Sequence, residues 1–198
     1  MSSAIRIAAL GGAVLLLADG ARAESAPLDA VRATLDRVSA IMATDAVRND
    51  KIRSLHSEAR ALLDTRTMGR RVLGRRLVQE PPEVQEEFLA LFDELIVRAW
   101  LQRILLFEEP RFEYIGLSGD PRRPVVHTKI RTDVDAYRID YEMRENRAGW
   151  QAMDIRVEGI SLLRSYHSQF EHLFERQSFE EVLARMQRKV KVLAEGQK

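Results

Sequence analysis

The hydrophobic period of this 198-residue chain changes twice, and those changes restrict the folds open to it. From Leu28 to about Phe107 apolar residues recur every three or four positions, which is a helical spacing. From Phe112 to Val157 they alternate with polar residues, which is the spacing of half-buried strands. Beyond Ser161 the helical spacing returns. Helices, then consecutive strands, then helices is the order of an α+β domain.

The helices can be bounded. Leu28, Val31, Leu35, Val38 and Ile41–Met42 stripe a first helix from Leu28 to Ala43. A second covers Val47 to Leu63, and a third roughly Arg66 to Leu77, interrupted by Gly69 and Gly74. Pro81 and Pro82 mark the start of a fourth, because proline in the first turn gives up no helical hydrogen bond. Glu83, Glu86 and Glu87 suit the positive end of its dipole, and it runs to about Phe107 before Pro110 stops it. Near the C-terminus Ser161 is an N-cap, and Ser178 with Glu181 forms a capping box. Tyr166, Phe170, Leu173 and Phe174 share one face of the helix after Ser161. Val182, Leu183, Met186, Val190 and Leu193 stripe the last.

Four strands are expected between them. Phe112 and Tyr114 mark the first, Gly119-Asp120-Pro121 a turn, and Val126, Thr128, Ile130 and Thr132 the second. In the third, Tyr137, Ile139, Tyr141 and Met143 alternate with Arg138, Asp140, Glu142 and Arg144, which puts Asp140 toward solvent. Asn146 to Gly149 turns the chain into the last strand, Trp150 to Val157. The expectation is a four-stranded antiparallel sheet with one face covered by helices.

The N-terminus has the form of a secretory leader. Arg6 precedes a short apolar core from Ile7 to Ala18, and Ala21-Arg22-Ala23 has the small-x-small form of a cleavage site. Residues 1–23 are therefore expected to be a signal peptide, and residues 24–198 a single exported domain. Cysteine is absent, so neither disulfides nor thiol chemistry is available. Without the leader the basic and acidic residues balance, which disfavours nucleic-acid binding. The most apolar later stretch, Leu95 to Phe107, is broken by Arg98, Gln102 and Arg103, so no later membrane span is expected.

Chemistry-bearing patterns are weak. Of His56, His127, His167 and His172, the last two are five apart and fall on different helix faces, a poor zinc pair. Ser161 and Ser168 lack a nucleophile-elbow motif. Asp154 and Glu158 suit a role in fixing the turn around Gly159. Arg70-Arg71 and Arg75-Arg76 form either a solvated helix face or a contact for acidic partners or headgroups. No catalytic residue, metal or cofactor is expected.

The fourth helix is over-supplied with apolar surface. Phe92, Ile96 and Trp100 are spaced four apart, with Phe88, Leu91, Leu95 and Leu106 on adjacent faces. Tyr114, Ile130, Ile139, Tyr141 and Ile155 would form the sheet surface opposite. Periodicity alone is equally consistent with these residues filling an ordinary core or lining a cavity.

One block is more specific. Trp150 leads to Asp154 and then Glu158-Gly159-Ile160-Ser161, followed by Tyr166-His167-Ser168-Gln169-Phe170. Upstream stand Leu73-Gly74 and Gln85-Glu86-Glu87-Phe88 with Phe92 and Leu95. Together these resemble the MlaC, or toluene-tolerance, family of periplasmic phospholipid-binding proteins, over about Leu62 to Leu193. Two positions depart from that pattern: His167 stands where the family usually has arginine, and Arg75-Arg76 where an aromatic residue usually follows Leu-Gly. The resemblance implies an apolar cavity between sheet and helices, lined by Phe88, Phe92, Ile96, Trp100, Tyr114, Ile130, Tyr141 and Ile155. It implies a periplasmic carrier, without covalent chemistry, for a phospholipid or related lipid. The partners it implies are an inner-membrane ABC-type transporter complex and an outer-membrane lipoprotein complex that maintain outer-membrane lipid asymmetry. The alternative is a small pocket protein that binds or modifies an isoprenoid- or hopanoid-type ligand.

Overall fold

The computed structural model describes residues 13–106, 110–132 and 135–195. Residues 1–12 of the expected leader lie outside them, as does the expected helix end near Phe107. Among the described residues there are seven helices and one open five-stranded antiparallel sheet. The helices are α1 (Ala13–Met42), α2 (Arg48–Leu62), α3 (Thr65–Leu73), α4 (Arg75–Val78), α5 (Pro82–Ile104), α6 (Leu162–Phe174) and α7 (Phe179–Glu195). The strands are β1 (Arg111–Asp120), β2 (Arg123–Arg131), β3 (Ala136–Asn146), β4 (Gly149–Val157) and β5 (Ile160–Ser161), paired in chain order. No described helix is long and apolar enough to cross a membrane.

Several details differ from the sequence expectation. The first helix begins at Ala13, within the expected leader, rather than at Leu28. The third helix breaks at Gly74 but not at Gly69. Gly69 instead lets α3 press against α5: a Cβ there would stand 2.9 Å from Leu89 Cδ2 and 3.1 Å from Phe92 Cδ1. The added fifth strand follows from the Glu158-Gly159 turn. Both residues have positive φ, 50° and 79°, as a two-residue hairpin turn requires, so Val157 pairs with Ile160 before α6 begins. Glu158 tolerates that backbone because it is bound twice to Arg138. Its N–H donates to the Arg138 carbonyl at 3.0 Å, and its carboxylate accepts from the Arg138 N–H.

The two caps expected near the C-terminus form. Ser161 Oγ accepts from Arg164 N at 3.0 Å, and Ser178 and Glu181 exchange their capping-box bonds at 2.8 and 3.2 Å. Asp154 ties the last long strand to α6, accepting from Ser161 Oγ at 2.6 Å and from Leu163 N at 3.0 Å. His167 Nδ1 lies 2.6 Å from the Val72 carbonyl, which can only accept, so Nδ1 carries the proton and clasps α6 to α3.

The sheet has two unlike faces. Val126, Thr128, Ile130, Ile139, Tyr141 and Ile155 share the face beneath the helices and are buried. The opposite face carries charge. There Asp140 corrects the expectation of a solvated side chain, being only 7 % exposed. Alternation does turn it away from the helices, but His127 and Arg138 cover it. His127 Nδ1 and Arg138 Nε stand 2.7 and 3.0 Å from the same carboxylate oxygen. Burial opposes ionisation, yet these two hydrogen bonds hold the Asp140 carboxyl below the usual range.

Candidate functional site

The backbones of α1, α2, α3 and α6 approach the strands closely, whereas α5 makes no comparable approach to any strand. One side of its C-terminal half is occupied: Val97, Leu101 and Ile104 pack with Val38, Leu55 and Ala59 of α1 and α2. The other side, carrying Ile96, Trp100 and Arg103 at helical spacing, faces a gap above β3 and β4.

That gap has two lobes sharing Trp100, Arg103, Tyr137, Ile155 and Val157. The first, about 450 Å³, adds Ile104, Leu106, Ile130, Ile139 and Tyr141. The second, about 470 Å³, extends beneath α6 to Leu63, Ile96, Leu162, Tyr166 and Gln169. Both volumes fall within the ~300–1,000 Å³ range of ligand sites. The lining is mainly aliphatic and aromatic. Leu106 and Ile160 are exposed apolar residues at the two lobes, 80 % and 68 % accessible. Arg103, exposed and shared by both lobes, has no ion-pair partner among the described residues. Burial pushes the Tyr141 and Tyr166 phenols up, so both stay neutral.

Of the eight residues expected to line a cavity, Ile96, Trp100, Ile130, Tyr141 and Ile155 are brought together here. Phe88 and Phe92 lie in a closed aromatic cluster instead. Phe88 meets the Phe170 ring edge-on at 5.4 Å, and Phe92 meets Tyr166 at 5.8 Å. Tyr114 is held toward α1: its hydroxyl donates to Asp36 Oδ1 at 2.6 Å, and the Arg32 guanidinium lies 5.0 Å from its ring centre. Residues not singled out as lining include Arg103, Val157, Tyr166 and Gln169. Arg103 lies seven beyond Ile96, so helical spacing carried a signal for it. Val157 pairs with Ile139 across the sheet and lay on an already apolar face.

The basic runs are partly consumed by structure. Arg71 pairs with Glu142 at 3.7 Å, and Arg76 lies 3.8 Å from Glu171 and 4.6 Å above the Phe174 ring. Among the described residues no group of three or more His, Asp or Glu is placed to hold a metal. On the outer face Ser118 Oγ is 2.7 Å from His127 Nε2, which completes a Ser–His–Asp order with Asp140. Arg138 shares that carboxylate and lies 3.3 Å from His127 Nδ1. These bonds link β1, β2 and β3 across the outer face of the sheet.

The fold has a solved counterpart. The phospholipid-binding protein from Ralstonia solanacearum, determined in complex with a phospholipid, is similar with a TM-score of 0.72 at 19 % identity. The match covers 84 % of this chain and 97 % of that one. No curated protein matches this chain. The family model described as MlaC protein matches residues 30–188, most of the sequence and all five strands, and the chain therefore belongs to the MlaC family.

Proposed function

We propose that this protein is a periplasmic carrier that shields the acyl chains of one phospholipid, or a related lipid, between the outer and inner membranes. The observation that carries this reading is the two-lobed apolar gap between α5 and the sheet, which the surrounding helices roof but do not fill. Membership of the MlaC family and the likeness to a structure with a bound phospholipid support it. The lobes receive the tails. Arg103 meets the headgroup phosphate, which a guanidinium binds with charge-assisted hydrogen bonds. The task has a clear physical basis: at ~0.8 kcal/mol per methylene, roughly thirty tail methylenes oppose release into water by about 24 kcal/mol gross. The work is binding and release, with no bond made or broken. An ABC-type inner-membrane complex and an outer-membrane lipoprotein complex are the proposed exchange partners.

Native mass spectrometry of protein purified from the periplasm tests the reading. The expected species is residues 24–198 with one two-chain lipid bound. A chain that emerges bare, or holds an isoprenoid-type ligand, would reject the phospholipid assignment. A cytoplasmic form retaining residues 1–23 would reject the compartment.

A further inference from the structure

A second groove lies on the far side of Tyr166 and Gln169, between α5, α6 and α7, with a volume of about 460 Å³. Its walls are Leu95 of α5, Phe170 and Leu173 of α6, and Met186 of α7. Tyr166 and Gln169 also line the second lobe of the main cavity and so form the partition. The charge at this groove is one-sided. Arg185 and Lys189 stand one turn apart on α7, both exposed, with no ion-pair partner among the described residues. His172, held by Glu175 at 3.2 Å, lines it too, and no acidic residue does.

We infer that this groove is a separate site for one free long-chain fatty acid. A single apolar slot suits one tail, whereas the main cavity has two lobes. Two unpaired cations a helical turn apart suit a carboxylate, which each can meet with a charge-assisted hydrogen bond. The acyl chain then runs inward over Leu173, Phe170 and Met186 toward Tyr166. The site does not depend on the carrier reading, because its lining is shared with the main cavity only at the partition.

Titration of the purified exported protein with the fluorescent fatty acid cis-parinaric acid, alongside native mass spectrometry, tests the inference. One equivalent should bind in addition to any lipid in the main cavity. The exposed double variant Arg185→Glu/Lys189→Glu should weaken that binding roughly tenfold or more while leaving the main-cavity lipid in place. Met186→Trp, which fills the slot, should also weaken it, and Ile96→Asp should not. Affinity unchanged by charge reversal would overturn the inference, as would one-for-one displacement of the main-cavity lipid. Competition by lysophosphatidylcholine as strong as that by oleate would overturn the carboxylate assignment. Failure to find phospholipid in the main cavity would leave the charge-reversal result intact, so the two readings fail separately.

Discussion

In the N-terminal half of α5, Phe88 and Phe92 are in ring contact with each other and with residues of α6 and α7. Two turns further along the same helix, Ile96 and Trp100 face a gap that the sheet does not close. Both halves carry large apolar residues at helical spacing. They differ in what approaches them: α3 and α7 press against the first half, with Gly69 removing the side chain that would keep α3 away. The second half packs on α1 and α2 through Val97, Leu101 and Ile104, while Ile96, itself buried, and the half-buried Trp100 border the gap. A hydrophobic stripe thus becomes solid core or cavity wall according to whether a second layer can reach it.

Four substitutions test that contrast. The largest loss of stability is expected for Phe92→Ala, about 3–5 kcal/mol by urea denaturation, since a fully enclosed ring leaves a void that close neighbours cannot refill. A loss under ~1 kcal/mol, well short of that range, would mean that the aromatic half is as loose as the cavity half. Ile96→Asp should abolish lipid retention, because a carboxylate placed among acyl chains must be desolvated or protonated. Its melting temperature should fall less than that of Phe92→Ala, since water entering the emptied cavity can hydrate the carboxylate. Collapse of the fold would make this region closed core and erase the contrast; lipid retained by a folded variant would remove Ile96 from the site.

Asp140→Asn acts on the far face of the sheet and so separates stability from cavity effects. Its cost at neutral pH should be about 1–2 kcal/mol, from weakened bonds to His127 and Arg138, with lipid retention unchanged. The folded carboxyl lies below its ordinary value, so its contribution is complete above ~3.9 and lost as pH falls through the lower folded value. Acid-unfolding curves of parent and variant should therefore converge at low pH; curves that stay parallel would show that the His127 and Arg138 bonds do not stabilise ionised Asp140. The smallest effect is expected for Gly69→Ala, about 1 kcal/mol net, because overpacking against Leu89 and Phe92 is partly offset by better helix propensity. A stabilised variant would show that α3 and α5 have room to separate.

Much of this was legible in the residues. The changes of period located the long elements from Leu28 onward, though α1 begins at Ala13, and alternation assigned the apolar and charged faces of β3. The Glu158-Gly159-Ile160-Ser161 turn and the block ending at Phe170 pointed to the family that the matched region confirms. Local chemistry sufficed because helical spacing, capping and turn preferences act over a few residues. β5 was missed because it is two residues long and exists only by pairing with β4.

Distances between layers were decided by tertiary structure. Nothing in the spacing of Phe88, Phe92, Ile96 and Trp100 distinguishes the two rings packed among other rings from the half-buried Trp100 and the buried Ile96 that border the gap. That outcome depends on α1, α2 and α3, forty or more residues upstream in part, and on α6, some sixty downstream, which together set how far α5 stands from the sheet. Asp140 shows the same limit at a single residue. Period two determined its face, but its burial came from His127 on the neighbouring strand together with the side chain of Arg138, two residues back on β3. Periodicity records the direction in which a side chain points, whereas the space it meets is fixed by segments remote in the chain.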